Sequence, residues 1–219
     1  MPAPDFRGVI FDMDGVLCDS EPYICEAACR MFAQRHNTVV LPQDFVPFVG
    51  AGEDRYLGGV AELHGVRLAM PADKELTYAL YLDVIKGRLG PLPGAVAFVA
   101  GCRRRGLRTA VASSADRVKV DGNLAQIGIA PTQFDAIVTG SDVARKKPDP
   151  EIFLAAAARL GLPPATCLVI EDAVTGIQAA RAAGMRCLGL TTSFTADTLR
   201  AAGADATAPD LAAVPPGVL

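Results

Sequence analysis

Histidine is scarce in this chain of 219 residues. His36 and His64 lie far apart beside loops, so solvated or capping roles are expected and no histidine-based catalysis is visible. The cysteines at 18, 25, 29, 102, 167 and 187 form neither a CxxC pair nor a cluster with histidine, which argues against zinc. Cys167 and Cys187 fall in apolar runs and read as small core residues, while Cys25 and Cys29 share one helix face as packing residues. Unpaired thiols of this kind fit a reducing compartment. No apolar run approaches the roughly 18 residues of a membrane span, so membrane insertion is not expected. Basic charge is not in surplus either. With 21 Lys and Arg against 24 Asp and Glu, the formal net charge of −3 argues against a nucleic-acid partner. Residues 1–5 show neither a signal-peptide nor a transit-peptide pattern, and the sequence reads equally well as a domain of a longer chain.

What remains is an ordinary globular composition, 51% hydrophobic and 21% charged, long enough to bury a sizeable core. The stretch from Gly8 to Phe11 is apolar without alternation, as a buried parallel strand should be. It ends in Asp12 and Asp14, whose i, i+2 spacing points both acids to one side if the chain stays extended through Met13. Residues 18–88 then read as helical. A helix over 21–34 follows Ser20 as N-cap with Pro22 in its first turn, a loop or short helix covers 42–52, and two more helices span 53–64 and 72–86. The breaker-rich stretch 87–94 is a linker. Beyond it, helices over 95–105, 116–127, 150–160 and 174–183 alternate with strands over 107–112, 136–138, 167–170 and 186–190.

Alternation of this kind predicts an α/β fold, a doubly wound parallel Rossmann-like sheet with helices on both faces. Its core comprises residues 1–17 and 89–219, and residues 18–88 form an inserted helical domain. The two linkers at its base suit a lid that rocks over a site. The Ala/Pro-rich stretch from Ala206 is expected to be poorly ordered.

Three strands end in chemically loaded pairs, Asp12/Asp14, Ser113/Ser114 and Glu171/Asp172, and parallel strands bring such ends to one edge. A fourth group, Arg145 to Pro150, precedes a helix. Gathering Asp12, Asp14, Glu171 and Asp172 is costly, since two unit charges 4 Å apart repel by roughly 4 kcal/mol at an effective dielectric of 20. Lys147 offsets one charge, and a hard divalent cation offsets two more. Ligands that are all oxygen suit Mg²⁺ better than zinc, and Mg²⁺ takes substrate phosphate readily. The composition of the site thus implies a metal and an anionic substrate.

These motifs carry a resemblance. Asp12-Met13-Asp14-Gly15-Val16, Val111-Ala112-Ser113-Ser114, Lys147-Pro148 and Ile170-Glu171-Asp172 are similar, in order, to motifs one to four of the haloacid dehalogenase superfamily, and the helical insertion resembles that family's small cap. The segments Phe11–Val16, Asp19–Glu21 and Lys147–Phe153 most resemble its β-phosphoglucomutase-like and sugar-phosphatase branch. Residues 44–50 and 112–117 are also similar to the hydrolase-like domain of a plant chloroplast protein.

The resemblance implies that Asp12 is the nucleophile, forming an aspartyl-phosphate, and that Asp14 is the general acid and base. Asp12, the Asp14 backbone carbonyl and Asp172 would hold Mg²⁺, with Glu171 supporting the metal waters or acting as a further ligand. Ser113 and the backbone around Ser114 would bind phosphoryl oxygens. Lys147 would bridge nucleophile and phosphate, and its neighbour Lys146 would not, because Pro148 sets the register.

The expected activity is therefore hydrolysis of a small phosphomonoester by a soluble monomer of the cytoplasm or chloroplast stroma. Two other readings stand beside it, a phosphosugar mutase and a regulatory module of a larger protein. Mutases of this branch carry a His and an Arg in the cap, and an ungapped count from Asp14 puts Ile24 and Glu53 at those positions. Glu53 and Arg55 are thus the cap's candidate substrate residues, with Arg55 a partial substitute for the missing arginine.

Overall fold

Short apolar runs become the centre of a parallel sheet because only strands buried on both faces tolerate them. The computed structural model, which describes residues 6–50, 52–215 and 217–218, contains β1 (Gly8–Phe11), β2 (Arg108–Ala112), β3 (Ala136–Val138), β4 (Cys167–Glu171), β5 (Arg186–Leu190) and β6 (Ala206–Ala208). They form one sheet in the order β3-β2-β1-β4-β5-β6, every neighbouring pair parallel. The order reverses between β1 and β4, which leaves a crevice at their carboxyl ends, the place where open α/β sheets bind ligands.

Alternate residues of each strand feed two cores. Val9, Phe11, Val111, Leu168 and Ile170 face one way, with α5 (Ala95–Arg104) and α6 (Arg117–Ile127). Ile10, Ala110, Ala112 and Val169 face the other, against α7 (Glu151–Leu160), α8 (Val174–Ala182) and α9 (Ala196–Ala202). Helices on both faces are what the alternating pattern predicts.

Between β1 and β2 the chain runs through α1 (Glu21–His36), α2 (Pro42–Phe45), α3 (Glu53–Leu63) and α4 (Ala72–Ile85). Its outgoing and returning segments pair at the base. Cys18 forms a β-bridge with Pro91, and the Leu92 amide donates to the Leu17 carbonyl at 2.9 Å. Both histidines serve the insertion. His36 and His64 lie 2.8 Å from the carboxylates of Asp73 and Asp44, tying α1 to the start of α4 and α3 to α2. α4 packs on the core helix α6, where the Tyr81 hydroxyl donates to Asn123.

Three expectations need correction. Ser20 occupies the N-cap position of α1, yet its side chain makes no cap bond, because the Asp14 carboxylate takes its hydroxyl instead. The region from Ala206 is not structureless. Its first three residues add a sixth strand, pairing with Leu188–Leu190, too short for a sequence pattern to register. The helix from Glu21 also runs past Gln34 to His36, where Asn37 ends it at φ 49°, a left-handed conformation that asparagine tolerates. Ala51 of the glycine-flanked loop lies outside the described residues.

The returning linker ends at Gly94, whose φ of 81° and whose neighbour, the Ala212 backbone nitrogen 2.2 Å from where a Cβ would sit, leave room for glycine alone. Gly94→Ala is expected to lower stability by about 1–3 kcal/mol through strain and the displaced C-terminal segment. A reduced urea midpoint with an unchanged m-value is the readout, and an unchanged midpoint refutes the packing account.

Candidate active site

At the crevice the sheet delivers Asp12 and Asp14 after β1, Ser113 and Ser114 after β2, and Glu171 and Asp172 at the end of β4. The turn before α7 supplies Lys147, and all seven line one cavity of about 530 Å³. A larger, shallower depression of about 700 Å³ on the insertion, near Gly58 and Arg67, contains none of them.

Lys147 is the hub. Its buried ammonium donates to Asp12 at 2.6 Å, Glu171 at 2.8 Å and the Ala112 carbonyl at 3.1 Å, and it lies 4.8 Å from the centre of the Phe153 ring. Burial works against this charge, but the Asp12 and Glu171 carboxylates outweigh it and hold the lysine above its ordinary pKa. Lys146, by contrast, turns to the Gly140 carbonyl at 2.5 Å, so the register set by Pro148 selects Lys147.

Carboxylates of Asp12, Glu171 and Asp172 lie within 4.8 Å of one another, all buried. One lysine against three acids leaves a deficit of positive charge, visible in the acids themselves. Burial pushes Asp12 up to about 7, with Lys147 pulling it down and Glu171 adding repulsion. Asp172 is raised well above the carboxylate range by burial, then by Glu171 and Asp12. Three oxygen donors short of about two positive charges are what a hard divalent cation fits.

Glu171 is the most committed of the three, since Oε1 accepts Lys147 and its second oxygen accepts the amides of Asp172 and Ala173, both at 2.7 Å. It packs so closely that a Cβ at Gly176 of α8 would lie 1.7 Å from its Oε1. Asp12 and Asp172 are therefore the carboxylates with capacity to spare.

The Asp14 carboxylate stands apart from that cluster. Ser20 donates to it through hydroxyl and amide, the amide at 3.3 Å, and the Lys119 ammonium reaches it at 3.1 Å. Ser113 spends its amide on the Val138 carbonyl, and its Oγ accepts the Ala115 amide at 3.2 Å. The buried Ser114 hydroxyl has no hydrogen-bond partner.

From the insertion, Glu53 reaches the cavity and Arg55 does not. Arg55 instead pairs with Glu62 at 2.9 Å and lies over the Phe48 ring at 4.8 Å, because it sits on the outer face of α3.

Sequence reasoning missed Lys119, Thr192 and Ser193. Lys119 is 4% exposed on α6, where Lys119 and Asn123 share the apolar face with Val120, Leu124 and Ile127, and that misplaced charge was its signal. Thr192 donates to the Gly15 carbonyl at 2.6 Å and Ser193 donates to Asp172, both from the loop after β5. The hydroxyl run Thr191-Thr192-Ser193 was a fourth polar strand end.

Comparison with known proteins agrees with this geometry. The family profile described as haloacid dehalogenase-like hydrolase matches residues 6–184. Protein Suppressor of Quenching 1, chloroplastic, of Arabidopsis thaliana is 48% identical over 198 residues, 89% of this chain but only 19% of that protein. The fructose-1-phosphate phosphatase YqaB of Escherichia coli K12 is 34% identical over 184 residues, 82% of this chain and 94% of its own. Among solved structures, CbbY from Rhodobacter sphaeroides in complex with phosphate superposes with a TM-score of 0.80 at 25% identity, covering 94% of this chain and 95% of that one.

With Asp12 titrating near 7, the metal-free folded chain keeps a proton that the unfolded chain, with an ordinary carboxyl near 4, has released. Between about pH 4 and pH 7 the folded state binds more protons, so stability falls as pH rises across that window. A divalent cation bound there would replace the proton, so its stabilising effect would grow over the same range. Thermal unfolding with and without millimolar Mg²⁺ is expected to show a larger rise in Tm at about pH 8 than at about pH 5. A rise that is equal at both pH values, or absent, contradicts the acid cluster as the cation site.

Proposed function

The chain belongs to the haloacid dehalogenase-like hydrolases, and from that premise we propose that it is a Mg²⁺-dependent phosphatase acting on a small phosphomonoester through an aspartyl-phosphate. The observation that carries this reading is the Lys147 ammonium set between Asp12 and Glu171 at the mouth of the crevice, beside a second acid, Asp14, held separately. The phosphatase names of relatives such as YqaB support the same reaction class.

Asp12 attacks phosphorus, and the ester oxygen departs with a proton from Asp14. Water then attacks the aspartyl-phosphate while Asp14 takes its proton, freeing phosphate and restoring Asp12. Lys147 holds the nucleophile and balances charge on the transferring group, as a preorganised point charge does. The Ser113 hydroxyl and the backbone amides around Ser114 offer donors to phosphoryl oxygens. Mg²⁺ would be held by Asp12, Asp172 and the Asp14 carbonyl, with Glu171 behind them. When bound, it supplies positive charge to the phosphoryl oxygens. The helical insertion, residues 18–88, serves as the cap that excludes water and chooses the leaving group.

Phosphate release from p-nitrophenyl phosphate with Mg²⁺ tests this. The native chain is expected to turn over and Asp12→Asn to lose roughly 10³-fold or more, as removal of a nucleophile does. Activity that survives Asp12→Asn excludes the covalent route. Two equally inert proteins across a phosphometabolite panel favour the interaction-module reading, and isomerisation of a sugar 1-phosphate favours the mutase.

A further inference from the structure

The cavity has an outer half facing the insertion, with Glu21, Glu53 and Lys119 on its wall, and an inner half around the acid cluster. The loop after β5 lines the inner half with Thr192 and Ser193, and it touches both strand ends that supply the acids. Thr192 donates to the Gly15 carbonyl at 2.6 Å, on the turn that follows Asp14, and Ser193 donates to Oδ2 of Asp172. Both ends of this loop are fixed. The Thr191 amide donates to the Ala208 carbonyl of β6 at 2.9 Å, and the Thr195 hydroxyl caps α9 by accepting the Thr198 amide at 3.3 Å.

Gly15 encloses Asp172 Oδ2 from another side. A Cβ at Gly15, whose φ is 72°, would lie 1.9 Å from that oxygen, so the carboxylate comes against the turn only because glycine is there. Oδ2 thus rests between Gly15 and Ser193, while Oδ1 has no hydrogen bond among the described residues. Asp12 is in a similar state, with Oδ1 taken by Lys147. A carboxylate held in rotation, with one oxygen committed, offers a cation a single oxygen. That suits Mg²⁺, which demands a compact and near-octahedral set of oxygens. It suits Ca²⁺ less, because Ca²⁺ takes more oxygens in looser arrangements and accepts both oxygens of one carboxylate.

We propose that Ser193 is a positioning residue for the cation site, and that by holding Oδ2 of Asp172 it makes the site select Mg²⁺ over Ca²⁺. This inference rests on the cation that the phosphatase reading requires, and it adds the residue outside the acid cluster that decides which cation is held.

Titration with MgCl₂ and, separately, with CaCl₂, each followed by the rise in Tm at about pH 8, gives an affinity for either ion without turnover. The native chain is expected to bind Mg²⁺ more tightly than Ca²⁺. Ser193→Ala should lose roughly tenfold or more in Mg²⁺ affinity but less than about threefold in Ca²⁺ affinity, so the preference collapses. Ser193→Thr, which keeps the hydroxyl, should keep the native preference. Ser193 lies on an exposed loop, and Tm without added cation confirms that each variant is folded. A Ser193→Ala variant with native Mg²⁺ affinity overturns the proposal, as does one that loses both ions equally, since that is what a merely structural residue would do. A Ser193→Thr variant that behaves like Ser193→Ala overturns it too. If the native chain binds Mg²⁺ and Ser193→Ala retains its preference, only the role of Ser193 falls, whereas a native chain that binds neither ion brings down the cation reading with it.

Discussion

The Lys147 ammonium lies 2.6 Å from Asp12 and 2.8 Å from Glu171, 135 and 24 residues away in sequence, at the rim of an otherwise apolar sheet. Strands β1 and β4 are buried along their whole length, so the groups at their ends are placed by hydrophobic packing and hydrogen-bond ladders with no say from their own charges. Left to themselves, Asp12, Glu171 and Asp172 would separate. The sheet holds them together, and Lys147 neutralises only part of the resulting repulsion. Everything chemical at this edge follows from that residual imbalance, namely the raised pKa values of Asp12 and Asp172 and the room for a divalent cation.

A second lysine links this edge to the insertion. Lys119 comes from a core helix, reaches Asp14, faces Glu53 of α3 and lies 6.0 Å from the centre of the Tyr81 ring of α4. Burial opposes its charge, but Asp14 and Glu53 hold its pKa well above the ordinary value. Asp14 therefore belongs to two assemblies. Its backbone follows the nucleophile strand, and its carboxylate is placed by Ser20 at the start of the insertion and by Lys119. Movement of the insertion would alter the surroundings of Asp14, whereas Asp12 is bonded to Lys147 and to the Ile170 carbonyl, both of the core.

The parallel sheet and the strand-end acids were legible because both rest on strong local patterns, unbroken apolar runs and carboxylates at their ends. Ser20 was misread because capping is a local rule, and a long-range acceptor, Asp14, outcompeted the helix amides. Arg55 was misplaced for a related reason. Chain position put it two residues from Glu53, but helical geometry turned it to the opposite face, where Glu62 and Phe48 receive it. Lys119 was overlooked because a lysine on a helix is usually solvated, and only its neighbours on the apolar stripe betrayed it. Strand β6, three residues of Ala and Thr, carries too little pattern to be seen before its partner β5 is in place.

Crowded acids also bear on stability. A site whose carboxylates repel in the absence of cation is a local conflict within an otherwise consistent fold, and such conflicts are expected where function is located. The surrounding structure can sustain it because the flanking strands and helices bury Phe11, Ile10, Phe153 and Ile170 almost completely. The same argument orders the two halves of the cavity. In the inner half Lys147 matches part of the negative charge, and a cation held by Asp12 and Asp172 would match more. In the outer half, Lys119 is the balance found among the described residues, and it is already divided between Asp14 and Glu53.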